Sequence, residues 1–168
     1  MTNSTNALTN SIYQLELIFN MNERLFLNAL DGITDQQAKE RISENNNPLI
    51  WIATHTVWAR YNILVFLGKP LQNPYAGMFE NFRPYDKNDD YPALVTLKDE
   101  WIKVSALLRD AIRTVSDEDL AADSPLKSPI GDYSNAGTIA FLAQHESYDI
   151  GQVGFLKKYF TKEAMKYN

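Results

Sequence analysis

With 168 residues, 45% of them hydrophobic and 22% charged, the chain has the composition of one soluble globular domain, long enough to bury a core unaided. A net charge of −5 weighs against nucleic acid as the main partner, since that role needs a basic surface to displace counterions. The absence of cysteine excludes disulfides, thiolate nucleophiles and zinc–thiolate sites, leaving His, Asp and Glu as metal ligands.

No stretch approaches the run of about twenty apolar residues that spans a bilayer, so no membrane association is expected. Residues 1–6, Met-Thr-Asn-Ser-Thr-Asn, lack the basic and apolar regions of a signal peptide, and a cytoplasmic location is the expectation. One domain is expected over residues 1–168, with residues 1–6 as a flexible tail and 161–168 as a basic one.

The first helix is predicted from about Leu8 to Leu30, where Leu8, Ile12, Leu15, Phe19, Leu25, Phe26 and Ala29 recur at helical spacing. Asp31-Gly32 ends it, and Thr34 to Ala38 reads as a short capped helical turn. Pro48 suits the first position of a second helix running to about Leu67, stopped by Gly68 and Pro70. That helix is apolar most of the way round and should be largely buried. Residues 68–92 hold prolines at 70, 74, 84 and 92 with aromatics between them, which predicts a long connection packed on the bundle. Asp86, Asp89 and Asp90 in it read as solvated charges. A third helix is expected from Thr96, with Thr96 to Asp99 as an approximate capping box and a seam through Leu97, Trp101, Val104, Leu108, Ala111 and Val115. Ser134 can cap a fourth helix that runs to about Phe160. Four long amphipathic helices without credible strands define an all-α four-helix bundle with a long connection between its second and third helices.

The chain has two histidines, and both lie in apolar helical stretches. His145 and Asp149 stand one helical turn apart on a face continued by Leu142 and Leu156. His55 of the second helix could meet them inside the bundle. Two imidazoles and one carboxylate with open positions suit a catalytic site for a divalent metal such as zinc, nickel or iron. Such a metal lowers the pKa of a bound water or thiol, or polarises a carbonyl. Asn62, Tyr148 and Gln152 are near in helical register. Set against this, the histidines can be ordinary hydrogen-bonded core residues, and Asp149 can pair with His145 or with Arg60. Trp51 and Trp58 read as core packing, and Glu146 as an exposed helix residue. Gly151 and Gly154, costly inside a helix, predict close approach of another helix, from this chain or from a second copy.

The tract His145-Glu146-Ser147-Tyr148-Asp149-Ile150-Gly151-Gln152-Val153-Gly154-Phe155-Leu156 resembles the fourth-helix motif of the DinB-like family, His-Glu-x-Tyr-His-x-Gly-Gln-x-x-x-Leu. Asn47 to His55 resembles that family's second-helix tract, and Ser116 to Leu120 also fits. The resemblance implies a bundle of up-up-down-down course, often a homodimer, with a three-histidine metal site. It also implies a metal-dependent S-transferase or isomerase that uses a low-molecular-weight thiol; a metal that activates water at these residues would instead serve a hydrolase. Carried over by position, His55 and His145 match the first two metal ligands, and Asp149 stands where the family has its third histidine. The competing expectation is a non-enzymatic bundle with a degenerate metal site, binding a small molecule or a partner.

Overall fold

The computed structural model describes residues 3–167, with side chains described from residue 12 onward. Seven α-helices are present among the described residues, and no strand: α1 (Asn3–Leu30), α2 (Asp35–Lys39), α3 (Leu49–Phe66), α4 (Ala76–Phe79), α5 (Leu94–Thr114), α6 (Asp117–Ala121) and α7 (Asn135–Thr161). Four long helices carry the architecture, as the periodicity predicts. The helix expected from Leu8 starts at Asn3, so residues 3–6 of the expected N-terminal tail belong to α1. Residues 1 and 2 of that tail lie outside the described residues.

The direction of each long helix follows from which residues meet. Glu16 pairs with Arg113 and Glu23 with Arg109, so α1 and α5 are antiparallel. Asn22 reaches Glu146 and Asn28 accepts from Lys157, so α1 and α7 run the same way. His55 meets Asp149 while Arg60 meets Glu146, so α3 and α7 are antiparallel. The course is therefore up-down-down-up, not the up-up-down-down course that the family resemblance implies. The physical reason lies in the connections. The first helix pair is joined at one end of the bundle, and residues 67–93 must climb its whole length to start α5 beside α2.

That start shows how the ends are closed. The Leu94 amide, at the head of α5, donates to Asp35 Oδ1 of α2 at 2.8 Å. The helix begins two residues before the expected Thr96, and its cap comes from a distant element instead of the local box. Other predicted caps form as read: Thr34 and Gln37 make a reciprocal capping box, and Ser134 accepts from the Gly137 amide.

The core is one continuous cluster in which all four long helices take part, with Phe26, Leu49, Ile63, Leu97, Trp101 and Ile139 fully shielded from solvent. α3 is buried almost all round, as its sequence predicts. The Tyr61 hydroxyl donates to Glu100 of α5 at 2.5 Å, and burial first, then the carboxylate, push its pKa well up.

Gly154 is approached by Met165 from the chain's own end, which folds back so that the Lys166 amide donates to Asn28 at 2.7 Å. The basic tail expected from residue 161 thus packs on the bundle. A Cβ added at Gly151 would meet nothing within 4 Å among the described residues. No helix among the described residues is long and apolar enough to cross a membrane.

Candidate metal centre

α3 and α7 pack along their lengths, and this contact brings the three sequence-predicted site residues together. Helical spacing stacks His145 over Asp149 on α7, and α3, running the other way, lays His55 against them. His55 Nδ1 lies 3.0 Å from Asp149 Oδ2, and His145 Nδ1 lies 3.7 Å from the same oxygen. The imidazole rings are 5.2 Å apart between centroids, and one potential ligand atom from each of the three residues falls within 4.8 Å of the others. Donor and acceptor in the His55–Asp149 contact depend on the imidazole tautomer. Asp149 is buried and its other oxygen accepts from Gln152 Nε2 at 3.3 Å.

His145 Nδ1 is buried and has no hydrogen-bond partner. An unsatisfied buried nitrogen costs free energy, and such groups are rare in native folds. Here it sits beside a shared carboxylate oxygen and a second imidazole. A divalent cation bound among the three would satisfy it and balance the carboxylate, so the residues fit such an ion.

Around His55 the helix supplies a stack of rings. Trp51, one turn before, lies parallel to the imidazole at 5.1 Å, and Trp58 stacks on it at 5.3 Å. Phe79, from the long connection, meets His55 edge-on at 5.1 Å. Trp51 and Trp58 are half-buried and pack against the core as their spacing suggests, and both also line a cavity of about 630 Å³ that reaches His55 and His145. Residues 79–84 form one wall of that cavity.

Below the site lies a second polar cluster. Arg60 is 1% exposed and grips Glu146 with two bonds, Nε to Oε2 at 2.7 Å and Nη2 to Oε1 at 2.6 Å. Its remaining donors reach Ser105 and the Phe19 carbonyl, its guanidinium lies 3.6 Å over the Trp101 ring, and Asn22 donates to Glu146. A paired, fully hydrogen-bonded charge is the form in which a buried arginine is tolerated. This corrects two expectations: Glu146 is buried instead of exposed, and Arg60 answers Glu146, not Asp149. The signal lay in the sequence. Glu146 falls three and four residues after Ala143 and Leu142 and four before Ile150, inside the apolar stripe. The clamp fixes the register of α7 one residue from His145.

Of the three residues near in register, Gln152 alone touches the cluster. Asn62 lines the cavity and accepts from Asn73, and Tyr148 is 62% exposed on the outer face of α7. Asp89, expected in solvent, is bound by Arg83 at 2.6 Å.

Fold and site together define an all-α bundle with a His-His-Asp cluster held between two antiparallel helices. The sequence pattern of the DinB superfamily matches residues 18–153, most of the chain, and the protein belongs to that superfamily. No curated protein matches the chain.

Proposed function

We propose that the protein binds one divalent metal ion through His55, His145 and Asp149, and that the ion serves a thiol S-transferase or hydrolase reaction in the adjoining cavity. The observation that supports this most is the unpartnered Nδ1 of His145, buried beside the oxygen that His55 already engages. When bound, the ion supplies Lewis acidity toward a thiol, a water or a carbonyl oxygen. The chain's own parts are distinct. Gln152 orients Asp149, the Trp51–His55–Trp58 stack fixes the imidazole plane, and a bound ion would take the place of the proton that His55 and Asp149 share at 3.0 Å. The apolar walls keep water from the reacting end of a bound molecule.

A second reading, a metal-free bundle that binds a small molecule, has one observation in its favour. The His55–Asp149 hydrogen bond satisfies two of the three groups without an ion. Metal analysis of protein purified without a histidine tag, with His55→Ala alongside, separates the two. About one ion per chain, lost in the variant, is expected from a three-ligand site. Metal-free protein of unchanged fold overturns the first reading.

A further inference from the structure

We propose that the cavity beside the His-His-Asp cluster selects an uncharged, ring-bearing, largely apolar molecule as substrate, and rejects thiols that carry several carboxylates. This deepens the reading above and rests on it for which end of the molecule reacts.

The walls supply rings and almost no free charge. Trp51, Trp58, Phe66, Phe79, Phe82 and Phe141 line the space, whose volume of about 630 Å³ is in the range of small-molecule sites. Apart from the two histidines, Arg83 is the one cation among the lining residues. It is already engaged by Asp89 at 2.6 Å and by Asp86 at 3.7 Å. The other charged lining residue, Glu80, is acidic. Beyond the reach of an ion held by the histidines, an anionic tail bound here would lose its water and find no free positive partner on the wall, and burying an unpaired charge is costly. A neutral ring finds stacking surface on several sides.

Phe82 adds a second observation. It is 100% exposed, at φ 57, a backbone region that a bulky side chain seldom occupies and that costs free energy to hold. Its ring buries nothing in the fold, yet it stands at the rim of the cavity. A molecule filling the cavity would give that ring its contact.

Two fluorescent probes with the same anilinonaphthalene frame test this: neutral N-phenyl-1-naphthylamine and its anionic sulfonate relative, 8-anilinonaphthalene-1-sulfonate. On the intact protein, saturable binding of the neutral probe with quenching of tryptophan emission is expected. In protein stripped of metal by chelator, so that no ion can pair with it, the sulfonate should bind about tenfold more weakly or worse, through its unpaired charge. Glutathione in large excess should not displace the neutral probe. Phe82→Ala should weaken neutral-probe binding about tenfold, as the loss of one ring contact does, with the melting temperature unchanged. Absence of neutral-probe binding, a sulfonate that binds as tightly, displacement by glutathione, or an unaltered Phe82→Ala affinity would each overturn the proposal. Metal content of the same samples is read separately, so loss of the metal-centre reading and loss of this one are told apart.

Discussion

His55 and Asp149, separated by 94 residues in the chain, meet at 3.0 Å between Nδ1 and Oδ2. The contact exists because α3 and α7 run antiparallel, so that a residue in the second turn of one lies beside the middle of the other. His145 reaches the same oxygen from one turn away on α7, at 3.7 Å. The site is a product of helix register, and whatever sets the register of α7 sets the site.

The main register device is the Arg60–Glu146 clamp. Glu146→Ala leaves an uncompensated buried guanidinium, which costs about 3–5 kcal/mol. Denaturant unfolding should show that loss, with a smaller one for Glu146→Gln, which keeps an acceptor for Arg60. Replacing both residues at once by methionine and leucine should cost less than Glu146→Ala alone, because no charge is stranded. A loss below about 1 kcal/mol for Glu146→Ala, the size of an exposed pair, would contradict a buried clamp.

Two glycines of α7 should respond in opposite senses to alanine. At Gly137 a new Cβ would stand 2.6 Å from the Asp132 carbonyl oxygen, so Gly137→Ala should destabilise by about 1–3 kcal/mol through overpacking. At Gly151 nothing lies within 4 Å, and Gly151→Ala should stabilise by about 1 kcal/mol through helix propensity. Thermal melts of the two variants check both signs. A destabilising Gly151→Ala would contradict open space at this face of α7.

Asp132 gives the fold a pH dependence at the head of α7. The Ser134 amide first, and then its hydroxyl, donate to the carboxylate and hold its pKa below the ordinary 3.8. A carboxyl group lowered on folding stabilises the native state above its unfolded pKa, and that contribution fades as pH falls through the folded value. Asp132→Asn should therefore lower the melting temperature slightly at neutral pH, and the gap from wild type should close as the pH drops below 3.8. A gap that stays constant through that range would assign the difference to something other than the carboxylate.

Much of this was legible in the sequence, for reasons tied to particular residues. Helical periodicity gives α1, α3, α5 and α7 because each must show an apolar face to the others, and His55, His145 and Asp149 stand out as polar groups in those faces. Periodicity is blind to direction, so the up-down-down-up course emerges only from cross-helix pairs such as Glu16–Arg113 and Asn28–Lys157. It is also blind to partner choice. A buried arginine demands a carboxylate, but Glu146 and Asp149 stand three residues apart, and only the packing of α3 on α7 decides between them. The role of Trp51 and Trp58 depends on residues 79–84 standing off the bundle to leave a cavity, a tertiary fact with no local signature.

The central claim, that three side chains from two helices hold one metal ion, is tested most directly by anomalous diffraction from crystals grown with zinc. The account predicts a single strong difference peak about 2.0–2.2 Å from an imidazole nitrogen of each histidine and from a carboxylate oxygen of Asp149, the usual zinc distances. Crystals of His145→Ala should lose that peak. Wild-type crystals with no peak between these residues, or with peaks only on surface carboxylates, would contradict it.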